Sequence, residues 1–226
     1  MAPLLLLFDI DGTLVRSRPL THQQAMARAA VEVFALPAST DESSVRAVEP
    51  WGKTDRWILA DMLAAAGRDE PPSAAELSRW ERAACAAYEE LENGEADEHD
   101  RRHAAVLARL RDAGHDLALV TGNLEPIARR KLELRGLGTF FPAGQGGFGS
   151  DARDRAELVR IARRRARGRA KAETVLIGDT PLDVSAALSA GVRAIGVAGS
   201  RYSRADLIEA GAAAAIDELE ELEQHL

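Results

Sequence analysis

Short apolar runs separated by amphipathic stretches set the rhythm of this chain. Residues 4–8, 117–120, 174–177, 193–197 and, more weakly, 213–216 are near-continuous hydrophobic segments, with the length and composition of strands buried on both faces. Between them, 103–113, 125–135, 155–167, 183–190 and 204–210 carry apolar residues at three- and four-residue spacing, as in Val106, Leu107 and Leu110 or Leu158, Ile161 and Ala162. That is the stripe of a helix lying on a sheet. Gly114, Gly136, Gly191 and Gly211 follow such segments, where a left-handed terminating residue is expected. Strand and helix in alternation predict an α/β fold, a doubly wound parallel sheet with helices on both faces.

One interval breaks the alternation. The first run ends at Phe8 and the next begins at Leu117, whereas a βα connection takes about 2 to 6 residues. The sequence between them is itself helical in pattern at 20–35, 55–66 and 74–91, the last with Leu77, Trp80, Ala84, Tyr88 and Leu91 in phase. The expected organisation is an α/β core of residues 1–15 and 97–226 with a small helical cap domain inserted at 16–96. Its connections, 15–19 and 93–97, are polar and loop-like.

Composition narrows the setting. With 46% hydrophobic and 29% charged residues among 226, the chain is expected to fold as a soluble protein. A net charge of −7 argues against nucleic acid or an anionic membrane as the main partner. The opening apolar run has no basic stretch before it and leads directly into acidic residues, unlike a secretory leader. Nothing later approaches the roughly 20 uninterrupted apolar residues that span a bilayer. The single cysteine, Cys85, forms no internal disulfide and fits a reducing compartment, so the cytoplasm is the expected location. The Arg163-Arg164-Arg165 run reads as a solvated helix face.

Chemistry gathers where the apolar runs stop. Residues 4–8 deliver Asp9 and Asp11, then Gly12 and Thr13; 117–120 deliver Thr121, Gly122 and Asn123; 174–177 deliver Gly178, Asp179, Thr180 and then Asp183. Carboxylates at the ends of buried strands pair, protonate or bind metal. Ligands of open α/β sheets lie outside the carboxyl ends of the strands. Convergence of the three segments puts three or four carboxylates and a hydroxyl in one crevice, an oxygen-rich set that suits Mg²⁺. Local readings compete with this one. Thr121 or Asn123 also reads as a helix cap, and Thr180-Pro181-Leu182-Asp183 has the pattern of a helix start with Pro in its first turn.

In order and spacing, over nearly the whole chain, this set of motifs resembles the haloacid dehalogenase superfamily, specifically its phosphatases with a helical cap inserted after the first strand. The resemblance implies a Mg²⁺-dependent hydrolase of a small phosphorylated metabolite. It makes Asp9 the nucleophile that becomes an aspartyl-phosphate, and Asp11 the acid that protonates the leaving oxygen and then activates water. It assigns the metal to Asp9, to the backbone carbonyl of Asp11 and to Asp179, with Asp183 beside it or acting through water. It has Thr121 hydrogen-bond a phosphoryl oxygen, helped by the Gly122 amide and by Asn123. The alternatives are return of the phosphoryl group to a sugar, as in phosphoglucomutases, and a binding or regulatory protein on the same scaffold. Dehalogenation gives Asp11 and the acidic metal set no purpose.

The chain departs from that family at one place. The lysine usually found at the start of the helix before the third acidic motif, often followed by proline, is missing, and the region reads Gly149-Ser150-Asp151-Ala152-Arg153-Asp154-Arg155. Arg155 is expected to take its role, with Arg153 second, since arginine is permanently charged and offers paired donors to phosphate. Within the insertion, Gly52 and Lys53 lie on a loop of the kind that covers the substrate in capped relatives. Lys53 then meets an anionic group and Gly52 lets the backbone approach; the local alternative is Thr54 or Asp55 as a helix cap with Lys53 in solvent.

Overall fold

The computed structural model describes residues 2–15, 19–36, 52–92, 94–199 and 201–226. Among them, β1 (Leu5–Phe8), β2 (Asp116–Thr121), β3 (Gly147–Phe148), β4 (Thr174–Gly178), β5 (Arg193–Val197) and β6 (Ala214–Ile216) form one parallel sheet in the order β3-β2-β1-β4-β5-β6. The helices are α1 (Pro19–Phe34), α2 (Asp55–Ala65), α3 (Ala74–Leu91), α4 (Glu98–Asp112), α5 (Glu125–Leu134), α6 (Arg155–Arg165), α7 (Pro181–Ala190) and α8 (Arg204–Glu209).

β1 occupies the middle because neither of its faces tolerates water. Leu5, Leu6, Leu7 and Phe8 are each fully buried, and the strand pairs on both edges, Leu5 opposite Asp116 of β2 and Thr174 of β4. Successive side chains of a strand point to opposite faces. Leu6 and Phe8 accordingly pack with Val106, Leu107 and Leu110 of α4 and Ala128 and Leu132 of α5, while Leu5 and Leu7 pack with Leu158 and Val159 of α6 and Val184 and Ala187 of α7. The sheet is doubly wound. Its strand order reverses at β1, so the carboxyl ends of β1 and β4 bound the crevice where such folds hold their ligands.

Helices α1 to α3 lie between β1 and β2 in sequence and share a separate apolar cluster. Met26, Ile58, Leu59, Trp80 and Tyr88 belong to it, and so do Leu124 and Ile127 of the α/β layer. The Trp80 indole N–H donates to the Met26 carbonyl at 3.2 Å, tying α3 to α1. Of the expected connections, residues 16–18 and Asn93 lie outside the described residues.

Three expectations about the elements change. α4 starts at Glu98, five residues before the expected 103, because Asp97 and Asp100 form a reciprocal capping box. α7 starts at Pro181 and not at 183, for the same reason: Thr180 and Asp183 cap each other. β3 lies on the sheet edge where no strand was expected; Gly147 and Phe148 are too few to leave a hydrophobic pattern. No helix of the described residues is long and apolar enough to cross a membrane.

Candidate active site

The three acidic and polar segments meet at the carboxyl ends of β1, β2 and β4. They line a cleft of about 80 Å³, with Asp9, Asp11, Asn123, Arg155 and Asp179 on the sheet side and His22, Met26, Lys53 and Ile58 on the helical side. Asp9 follows β1 directly, and its backbone N–H donates to the Ile177 carbonyl of β4 at 2.9 Å, which fixes the carboxylate over the β1/β4 gap. The chain then turns: the N–H groups of Leu14 and Val15 both reach the Ile10 carbonyl, and Gly12 adopts φ +89°. A side chain at Gly12 would stand 2.2 Å from an Asp179 oxygen. Only glycine lets the first loop lie against the third acidic segment.

Asp9, Asp179 and Asp183 bring oxygen atoms within 4.8 Å of one another. Burial pushes Asp9 up to about 7, with repulsion from Asp183 and Asp11 adding to it and Arg155 opposing it. Asp179 is pushed up to about 9 by burial and by the charges of Asp9 and Asp183. Among the described residues, Arg155 is the cation paired with this group. Arg155 is buried, stands 2.8 Å from Asp9 Oδ1 and donates through Nε to Asp183 Oδ1 at 2.7 Å. Against the cost of its burial, Asp183 and Asp9 hold its guanidinium well above the usual arginine range. Asp183 is fully engaged, since its other oxygen accepts from the Thr180 backbone N–H and hydroxyl. Asp179 Oδ1, by contrast, is buried without a hydrogen-bond partner. A site with surplus negative charge and an orphaned carboxylate oxygen fits a hard divalent cation such as Mg²⁺.

Asp11 is held quite differently. Burial alone would raise its pKa, but the charge of Lys131 and the hydrogen bonds from Lys131 and Asn123 outweigh it and keep the carboxyl below the ordinary carboxylate range. Lys131 Nζ lies 2.8 and 2.6 Å from the two Asp11 oxygens and 2.7 Å from Asn123 Oδ1. Asn123 Nδ2 donates to Asp11 Oδ2 at 2.8 Å and to Thr121 Oγ1 at 2.7 Å. Thr121 is fully buried behind Asn123.

The 52–55 loop of the helical layer lies over the cleft. Gly52 O accepts from Arg155 Nη1 at 3.2 Å, the Asp55 N–H donates to the Gly122 carbonyl at 2.8 Å, and the Thr54 hydroxyl donates to the Arg153 carbonyl at 3.1 Å. Gly122 is required there, because a Cβ would lie 2.2 Å from the Lys53 carbonyl oxygen. Thr54 is the N-cap of α2. Asp55 caps a different helix: its Oδ2 accepts from the Leu124 N–H at the start of α5, at 2.7 Å, and from His22 Nε2 at 3.1 Å. Lys53 lines the cleft with its Nζ on Asp61 at 2.8 Å, beside the Trp57 ring. Arg153 is exposed, with its guanidinium over the Trp57 ring at 5.4 Å from the centroid. Arg155, not Arg153, is therefore the arginine beside Asp9.

Sequence reasoning missed Lys131 and His22 and saw in Asp55 only a cap for its own helix. The signal for Lys131 was present. It sits four residues after Ile127 and three after Ala128, on the apolar stripe of α5, but the Arg129-Arg130-Lys131 run disguised it as part of a solvated face.

A family model described as haloacid dehalogenase-like hydrolase matches residues 6–188, most of the chain and every residue of this cleft. The chain belongs to this family. A second model, described as HAD-hydrolase-like, matches residues 155–222. No curated protein matches the sequence significantly. Among solved structures, a mutant of CbbY from Rhodobacter sphaeroides in complex with xylulose-(1,5)-bisphosphate is 20% identical, with a TM-score of 0.70 over 98% of this chain and 96% of that one. CbbY with phosphate gives 0.68 at 20% identity, with coverage of 98% and 96%. A candidate β-phosphoglucomutase from Bacteroides vulgatus is 19% identical, with a TM-score of 0.69 over 99% of this chain and 87% of that one. At these identities the likeness is one of fold.

Proposed function

We propose that this member of the family is a Mg²⁺-dependent phosphatase that hydrolyses a small phosphorylated metabolite through an aspartyl-phosphate on Asp9. The observation that carries this reading is the pairing of Asp9 with Arg155 at 2.8 Å beside the orphaned oxygen of Asp179. A nucleophile, a cation for the phosphoryl oxygens and a metal site then share one cleft. Asp9 and Asp179 would hold the ion, with the Asp11 backbone carbonyl, and Asp183 would act indirectly because both its oxygens are committed. Bound Mg²⁺ supplies charge neutralisation between the carboxylate and the phosphoryl group.

The protein's own groups do the rest. Asp11, ionised in the free protein, takes up the proton of the incoming phosphate monoanion; Asp9 then attacks phosphorus as the ester oxygen leaves with that proton, and water attacks the phosphoryl group, giving its proton to Asp11 and releasing inorganic phosphate from Asp9. Arg155 and the Gly122 N–H steady the phosphoryl oxygens, while Asn123 and the fully buried Thr121, expected to do the same, bond to each other and, through Asn123, to Asp11 instead. The helical layer acts as a cap that excludes water during transfer. The phosphate and bisphosphate complexes of CbbY support a phosphorylated ligand for this fold.

The test is a panel of sugar phosphates, phosphorylated carboxylic acids and nucleoside monophosphates, with and without Mg²⁺. Release of inorganic phosphate that stops with chelator and in Asp9→Asn supports the proposal. An isomerised sugar without phosphate release would instead make the protein a mutase.

A further inference from the structure

Lys131 is only 6% exposed, and each of its donors has a destination. An ammonium group has three N–H bonds. Here they meet Asp11 on the β1 loop, Asn123 Oδ1 on the β2 loop at 2.7 Å, and His22 Nδ1 on α1 of the helical layer at 3.3 Å. For His22 to accept through Nδ1, its proton must sit on Nε2, and that nitrogen lies 3.1 Å from Asp55 Oδ2. Asp55 in turn receives the Leu124 N–H of α5, the helix that carries Lys131. A closed circuit of hydrogen bonds thus runs from Asp11 through the core into the helical layer and back. The ammonium also faces the Tyr88 ring at 5.9 Å.

We infer that Lys131 is a positioning residue for Asp11: it fixes the carboxylate in the orientation that faces the substrate oxygen, and His22 completes its three partners when the helical layer is seated. Two features carry this. Lys131 and Asn123 together engage both Asp11 oxygens along one side, which restricts rotation of a carboxylate otherwise 30% exposed to the cleft. The third partner comes from the element that covers the cleft, so Asp11 is held most firmly when the cleft is closed. Departure of an alkoxide oxygen depends on proton transfer from an acid so aligned; a p-nitrophenolate leaves without it.

The inference rests on the phosphatase reading and is tested separately from it. In Lys131→Met, kcat for an alkyl phosphate is expected to fall about 100-fold, the size of a typical acid–base contribution, with KM little changed. Asp9 phosphorylation from p-nitrophenyl phosphate should fall far less. His22→Phe should shift the same ratio in the same direction, and His22→Gln, which keeps an acceptor, should restore part of it. Measured with p-nitrophenyl phosphate, Asp11→Asn and Asp11→Asn/Lys131→Met should be alike, because Lys131 acts through Asp11. The double variant leaves no buried charge stranded, whereas Asp11→Asn leaves the Lys131 ammonium without its carboxylate, so equal urea midpoints of the two are required before their rates are compared; the comparison then stands even if Lys131→Met does not fold. Equal losses on both esters, or a further loss in the Asp11→Asn background, would overturn the assignment. A wild-type protein inert toward every ester with Mg²⁺ removes the phosphatase reading, and this inference with it.

Discussion

Arg155 is a permanently charged side chain buried between two carboxylates, Asp9 and Asp183, and its removal leaves both without their partner. Breaking a buried ion pair of this kind costs about 3–5 kcal/mol, so Arg155→Ala is expected to lower the urea midpoint clearly as well as to remove turnover. Arg155→Lys keeps a charge but cannot reach both acids with a planar fork, and should recover stability more than activity. A variant with near-wild-type midpoint and rate would show that the guanidinium is not the cation of the site. At this scale the sequence was readable wherever a residue followed an apolar run directly, as Asp9, Thr121 and Asp179 do. The choice of Arg155 over Arg153 was readable from its place at a helix start. Lys131 and His22 were hidden because their meaning comes from contacts across 120 and 109 residues, which no local pattern records.

Among elements, the junction of the 52–55 loop with the start of α5 joins the helical layer to the α/β layer beside the cleft. Gly122 has no room for a methyl group against the Lys53 carbonyl, so Gly122→Ala must push the loop away. Forced overpacking costs typically about 1–3 kcal/mol; the expected outcome is a raised KM and a lowered melting temperature, read by steady-state kinetics and thermal melting. Asp55→Ala removes the carboxylate that accepts the Leu124 N–H and should cost about 0.5–2 kcal/mol, as loss of a helix cap does. Unchanged stability in Asp55→Ala would mean that solvent satisfies that amide equally well. The main strands and helices were legible because burial on both faces writes a continuous apolar run and burial on one writes a stripe. The starts of α4 and α7 were misplaced because capping boxes extend helices into polar sequence, and β3 was invisible because a two-residue edge strand has no period.

For the molecule as a whole, the acidic cluster links stability to pH and to metal. Asp9 and Asp179, ordinarily near 3.8, stand at about 7 and about 9 in the folded protein. Between roughly pH 4 and 9 the metal-free folded state therefore binds more protons than the unfolded chain, and these two groups make stability fall as pH rises through that window. A divalent ion replaces those protons, so the gain in melting temperature on adding Mg²⁺ should be larger at about pH 8 than at about pH 5 and should shrink in Asp179→Asn. A gain of equal size at both pH values would separate the cluster from the metal. The fold supplies the two halves of this site from opposite sides of a topological reversal in the sheet, and the claim that joins them is covalent chemistry at one carboxylate. Rapid quenching of the Mg²⁺-loaded enzyme during turnover of a ³²P-labelled ester, followed by peptide mapping, tests it most directly. Label on the peptide containing Asp9, absent from Asp9→Asn, is the predicted result; sustained phosphate release with no label at Asp9 would contradict it.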